Sequence, residues 1–216
     1  MLQSFKAKAD KNEIEVEDII SVCETRDPKL VPYLRSLKER FNYKDNLVVH
    51  DNGSITPPMG AWIKIGCIYI EDGFEGLLEL SKDESKISYC LSFLEQYKNR
   101  QSAQALIKIV DRYGAVTENE YELIMDIISS INIMFSFDES PEITPEEKAS
   151  HRNLVHRTIS LCKTDSDLAI AMCALRGVGN ADSIALVKSM PKLQGAWSGT
   201  EKIVAKEINK RLRQNV

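Results

Sequence analysis

Two stretches from opposite ends of the chain lie over each other without a gap: "DPKLVPYLRSL" (27–37) and "NADSIALVKSM" (180–190). Each opens on a side chain suited to capping a helix, Asp27 or Asn180. Apolar residues then fall in the same slots: Val31 with Ile184, Leu34 with Val187, Leu37 with Met190. "NRQSAQALIKI" (99–109) fits the template with Ala103, Leu106 and Ile109, and "IEDGFEGLLEL" (70–80) fits with Phe74, Leu77 and Leu80. The copies start 43, 29 and 81 residues apart, at 27, 70, 99 and 180. That reads as one, one and two units of a helical hairpin of roughly 30–45 residues. One such hairpin cannot cover its own apolar face, so neighbours must stack and share a core.

The rest of the chain agrees with helices. Apolar residues recur at i, i+3, i+4, i+7 in "VEDIISVCETR", "SKISYCLSFLEQY" and "DLAIAMCALRGV". Asp27-Pro28 sets a cap before a proline at the first helical position. Thr117 with Glu120, Thr144 with Glu147 and Ser198 with Glu201 have capping-box spacing. Gly114, Gly177 and Gly179 stand where helices are expected to stop. The small apolar run "AIAMCAL" permits close approach of neighbouring helices. Val31, Leu34, Phe74, Leu77, Leu106, Ile184 and Val187 are expected to be buried. Trp62, in the apolar segment "MGAWIKIGCIYI", is expected in the core. Trp197, in "LQGAWSGTE", is expected to plug the core against the last helix, with an exposed anchor as the alternative. One segment departs from the pattern. In "NLVVHDNGSITPP" (46–58), β-branched residues flank Asn52-Gly53, which predicts a short inserted hairpin or loop.

A helix, a break carrying Asp or Asn, then an apolar template resembles the HEAT-like helical repeat; "CETRDPKLVPYLRSL" and "CALRGVGNADSIALVKSM" carry the resemblance best. It implies an all-α, right-handed solenoid of about five helical pairs, one domain spanning 1–216, whose second helices line an exposed face. On the template, Ser36, Glu79, Lys108 and Ser189 share one register position and are expected to face solvent.

Charge is unevenly spread. Residues 117–147 hold nine acidic side chains and no Lys or Arg, whereas 148–216 hold twelve basic and five acidic ones. Such asymmetry speaks to partners. Glu118, Glu120, Glu122, Asp138, Glu139 and Glu142, with Glu79 and Lys108, are the candidate partner-binding residues, and the acidic ones from 118 on, with Glu146 and Glu147, are expected on one side of the molecule.

Motifs for chemistry are sparse. His151 and His156 stand five apart, about 140° around a helix, which does not suit the i, i+4 pair that binds zinc. No two cysteines have C-x-x-C spacing, and "RGVGNAD" reads as a helix stop and not as a phosphate loop. No metal and no cofactor is expected. Five lone cysteines in apolar patterns read as buried free thiols of a cytoplasmic protein, and "MLQSFKAKAD" lacks the apolar segment of a secretory leader. No run has membrane-spanning length. The resemblance therefore implies a non-enzymatic protein-binding module, in particular an immunity protein that neutralises a toxin with a basic domain. A nucleic-acid-binding protein of the DNA glycosylase type is the weaker alternative, and a scaffold or chaperone the third.

Overall fold

A computed structural model describes residues 2–41, 48–49, 55–56, 58–113, 120–136 and 140–214. The described residues are helical apart from short connections and one two-residue ladder. The helices are α1 (Leu2–Asp10), α2 (Val16–Glu24), α3 (Val31–Phe41), α4 (Met59–Leu80), α5 (Glu84–Tyr97), α6 (Arg100–Val110), α7 (Tyr121–Phe135), α8 (Pro145–Thr158), α9 (Asp165–Val178), α10 (Ala181–Ser189) and α11 (Thr200–Gln214). β1 (Val48–Val49) pairs antiparallel with β2 (Ile55–Thr56), Val48 opposite Thr56 and Val49 opposite Ile55. The inserted hairpin expected near 46–58 is present as this ladder; its Asn52-Gly53 turn lies outside the described residues, as do Thr117 and Gly114.

The chain divides into two compact units, Met1–Gln96 and Tyr97–Val216. In the first, α4 packs on α2 and α3. Its buried side is Trp62, Ile63, Ile65, Tyr69 and Leu77, so the apolar segment around Trp62 is helix and core as expected. Phe93 of α5 joins the same core, its ring centroid 5.9 Å from Trp62 and 5.4 Å from Tyr69. The copy of the template at 70–80 does begin a second helical segment, after a break in the helix at Gly73. That segment is the far half of α4, set off from the near half by Gly73, whose non-helical φ of 67° is available to glycine at little strain. A Cβ there would stand 2.9 Å from the Arg26 guanidinium, which itself lies 4.9 Å over the Tyr69 ring.

In the second unit α9 is the hub, touching α7, α8 and α11. Ala169, Ala171 and Ala174 are buried along it, the close approach foreseen for "AIAMCAL". The direction of the helices follows from their contacts. Tyr121 meets Asp167, Asn132 meets Arg176, and the Phe135 carbonyl lies against Gly177, so α7 and α9 rise together. Ile208 and Arg211, late in α11, meet Gly179 at the end of α9. The earlier turns of α11 thus lie back along α9, and α11 runs the same way.

α6 and α10 enter through the same box. Asn99 Oδ1 accepts from the Ser102 N–H at 2.9 Å while Ser102 Oγ accepts from the Asn99 N–H at 3.0 Å. Asn180 and Ser183 repeat both bonds at 3.0 Å. The shared pattern in the sequence thus has one physical meaning at two places: two otherwise unpaired N–H groups satisfied by Asn and Ser. Asp27 caps a short 3-10 turn at Pro28–Leu30, accepting from the Lys29 N–H at 3.0 Å. Thr144 and Glu147 form the expected box at α8. Ser198 and Glu201 do not. α11 begins after Gly199, whose carbonyl accepts the first helical N–H groups and whose φ is 82°.

Val31, Leu34, Leu77, Leu106 and Val187 are buried; Phe74 and Ile184 are half-buried. Trp197 is 41% exposed and so is not the core plug preferred from its position near the last helix. The 3-10 turn at Gly195–Trp197 holds it outward, and Leu193 is the buried residue of that connection. Gly179 ends α9 as expected. Gly177 does not end it; it lies inside the helix, where a Cβ would stand 1.8 Å from the Phe135 carbonyl oxygen. It is a glycine of close approach between α7 and α9.

Candidate functional site

Parallel helices bring like ends together. The N-termini of α7 and α9 meet through Tyr121, whose hydroxyl donates to Asp167 Oδ2 at 2.8 Å and accepts from the Lys163 N–H at 2.9 Å. Burial, with the Asp167 carboxylate adding to it, pushes the Tyr121 phenol up to about 12. The residues beside this contact are acidic: Glu120 and Glu122 at the start of α7, Asp165 and Asp167 in the first turn of α9. Carboxylates are favoured there because helix N-termini carry partial positive charge. Glu122 and Asp165 are exposed, Glu120 and Asp167 half-buried. The Lys163 ammonium lies 4.1 Å over the Tyr121 ring.

The opposite ends are basic. The last turns of α9 take hydrogen bonds from side chains of α8 and α11, from Ser136 just after α7 and from Arg176 of α9 itself. Cys173 O accepts from Ser136 Oγ at 2.9 Å and from Arg176 Nε at 3.2 Å, Val178 O accepts from Arg152 Nη1 at 3.3 Å, and Gly179 O accepts from Arg211 Nη2. A cleft of about 360 Å³ opens beside them, walled by Lys148, Arg176, Lys210 and Arg211, with Glu142 and Glu207 as its carboxylates. Burial, and then the neighbouring Arg211, lowers the Lys148 pKa, and burial, and then Arg152, lowers that of Arg211.

These two ends separate the residues singled out from the sequence. Glu120 and Glu122 stand at the start of α7 and Glu142 beyond its end. Fifteen residues of helix lie between them, roughly 22 Å. Proximity in sequence concealed this, because the helix that separates them is itself the apolar anchor. Glu146 and Glu147 are in the first turn of α8, where Glu147 serves the capping box and accepts from Gln104 Nε2 at 3.3 Å. Glu118, Asp138 and Glu139 lie outside the described residues. Lys108 is exposed in the last turn of α6. Glu79 is exposed in the first unit, 2.5 Å from Lys82. Ser36 and Ser189 are also exposed, each hydroxyl donating to its own helix, at Tyr33 O (2.6 Å) and Leu186 O (2.7 Å). Asp165 and Asp167 were missed. They follow Thr164 in "KTDSD", a capping signal visible in the sequence, but their place beside Glu122 depends on tertiary packing.

One pair has the look of chemistry. His156 Nε2 stands 2.8 Å from Ser183 Oγ. Yet Ser183 is fully buried, and its Oγ also lies 3.0 Å from the Asn180 amide N and 3.0 Å from Asn180 Oδ1. The hydroxyl is held by the capping box, as Ser102 is at α6 without any histidine, so the pair fixes the entry of α10 and exposes no nucleophile. His151 is buried, its ring 4.9 Å from Phe135, and neither ring nitrogen has a hydrogen-bond partner. Burial holds its pKa down at about 3, so it is neutral. The five cysteines are free thiols, with Cys23, Cys67 and Cys90 buried. Among the described residues no three His, Cys, Asp or Glu are grouped to hold a metal ion, and no helix is long and apolar enough to cross a membrane. Comparison with protein-family models, with curated proteins and with solved structures finds no match to this chain.

Proposed function

We propose that the chain is a HEAT-like α-solenoid that binds a protein partner without catalysis, in the manner of an immunity protein that neutralises a toxin. The acidic edge at the start of α7 and α9 carries this reading. Two exposed carboxylates, Glu122 and Asp165, stand at those helix starts with the half-buried Glu120 and Asp167. Clustered exposed charge steers a partner of opposite sign and fixes its orientation more than it adds raw affinity. A basic protein surface is the complement. The solenoid part of the reading is supported by the repeated Asn-Ser entry of α6 and α10 and by the common direction of α7, α9 and α11.

The experiment is co-expression with the product of the neighbouring gene. The wild type is expected to restore growth where that product is toxic and to co-elute with it. Glu122→Lys combined with Asp165→Lys is expected to slow association and flatten its dependence on salt. A chain that neither binds nor protects, or a double variant with the association rate and salt dependence of the wild type, removes the reading.

A further inference from the structure

We propose that the cleft at the C-terminal ends of α7 and α9 binds the phosphate group of a small-molecule ligand, with Lys148, Lys210 and Arg211 as its cationic contacts. Four features converge on this. The cleft is open to solvent on one side and offers about 360 Å³, within the size of small-ligand sites. Among the described residues that line it, Lys148, Arg176, Lys210 and Arg211 stand against Glu142, which acts on Lys148, and Glu207, and Arg152 stands close enough to Arg211 to repel it.

Capping accounts for only part of this excess. Arg152 and Arg176 donate to α9 carbonyls, and Arg211 gives one Nη to Gly179 O. Arg211 Nε is buried without a hydrogen-bond partner, and among the described residues Lys148 and Lys210 donate to no protein acceptor. None of the ion pairs within 4 Å among the described residues involves Lys148, Lys210 or Arg211. Lys148, Lys210 and Arg211 therefore meet no described carboxylate at contact distance.

Like charges drawn partly out of water are unfavourable until an anion completes them. Phosphate supplies two charges and several acceptor oxygens, which suits a guanidinium flanked by two ammonium groups. Lys210 also belongs to a row of exposed cations on α11 with Lys202, Lys206 and Arg213, but of that row Lys210 alone lines the cleft, beside Lys148 and Arg211, and the space there suits a small ligand. This site stands independently of any partner at the acidic edge.

Calorimetric titration of the full chain at low ionic strength with inorganic pyrophosphate and with adenosine diphosphate tests it. Binding with a Kd below about 1 mM is expected. Lys148→Gln and Lys210→Gln are each expected to weaken it about tenfold, with far-UV circular dichroism unchanged. Lys163→Gln, at the far end of α9, is expected to leave it unaltered. Tighter binding of adenosine diphosphate than of pyrophosphate identifies a phosphate ester as the ligand, and equal or weaker binding identifies the free anion; both uphold the site. Absence of binding at millimolar pyrophosphate overturns it, as does equal weakening by Lys163→Gln. Tighter binding of a short DNA duplex through the same lysines also overturns it, in favour of a nucleic-acid groove.

Discussion

Lowering the pH from 8 to 5 should weaken the second unit through one side chain, His151. An unperturbed histidine titrates near 6.5, and in the folded chain burial holds His151 at about 3. Between those values the unfolded chain binds a proton that the folded chain does not. Stability from this group is therefore complete above about pH 6.5 and falls as pH drops through the window towards 3. For a shift of that size the loss at pH 5 is about 2 kcal/mol relative to pH 8. His156, lowered mainly by its own burial, contributes with the same sign, so the measurement is a difference. His151→Leu removes two ring nitrogens without partners and keeps an apolar side chain against Phe135. Urea unfolding followed by far-UV circular dichroism and by tryptophan fluorescence, to which Trp197 contributes from the same unit, gives the free energy of both proteins at both pH values. The variant is expected to gain about 2 kcal/mol on the wild type between pH 8 and pH 5. A gap that stays constant to within about 0.5 kcal/mol across that range refutes the account of His151 as the buried neutral base.

Leu106→Ala empties a fully buried position of α6 and is expected to destabilise by about 2–5 kcal/mol in the same unfolding assay. Gly177→Ala drives a Cβ to 1.8 Å from the Phe135 carbonyl oxygen, so α7 and α9 must part, with a clear fall in the Tm of the second unit and loss of the Ser136 bond to Cys173 O. Burial pushes the Cys23 thiol up to about 12 and that of Cys67 to about 11. Burial raises Cys162, to about 11, and Cys173 as well, so access and not thiol acidity separates the classes: at pH 8 Cys23 and Cys67 are expected to react with a disulfide reagent only after unfolding and the half-buried Cys162 and Cys173 sooner, which stopped-flow absorbance distinguishes.

The helical character of this protein is written locally. The 3.6-residue period, the Asn-x-x-Ser entries at Asn99 and Asn180 and the Thr144–Glu147 box act within a few residues of one another, so they are legible in sequence and reappear as bonds. The inserted ladder near Asn52-Gly53 is legible for the same reason. What the sequence could not settle are distances between segments. Glu142 belongs by charge with Glu120 and Glu122 but stands at the other end of α7, beside cations from α8, α9 and α11. Asp165 was not singled out in the sequence; the parallel course of α7 and α9 puts the start of its helix beside that of α7. Gly177 read as a helix stop because its neighbour Gly179 is one; only the approach of the Phe135 carbonyl gives it another role. Trp197 was expected inward because a terminal repeat needs a cap over its core, yet Leu193 holds the buried place in that connection. Capping and periodicity depend on neighbours along the chain, whereas charge clusters, close approaches and exposure depend on which helices lie side by side, and that was decided only when α9 packed between α7 and α11.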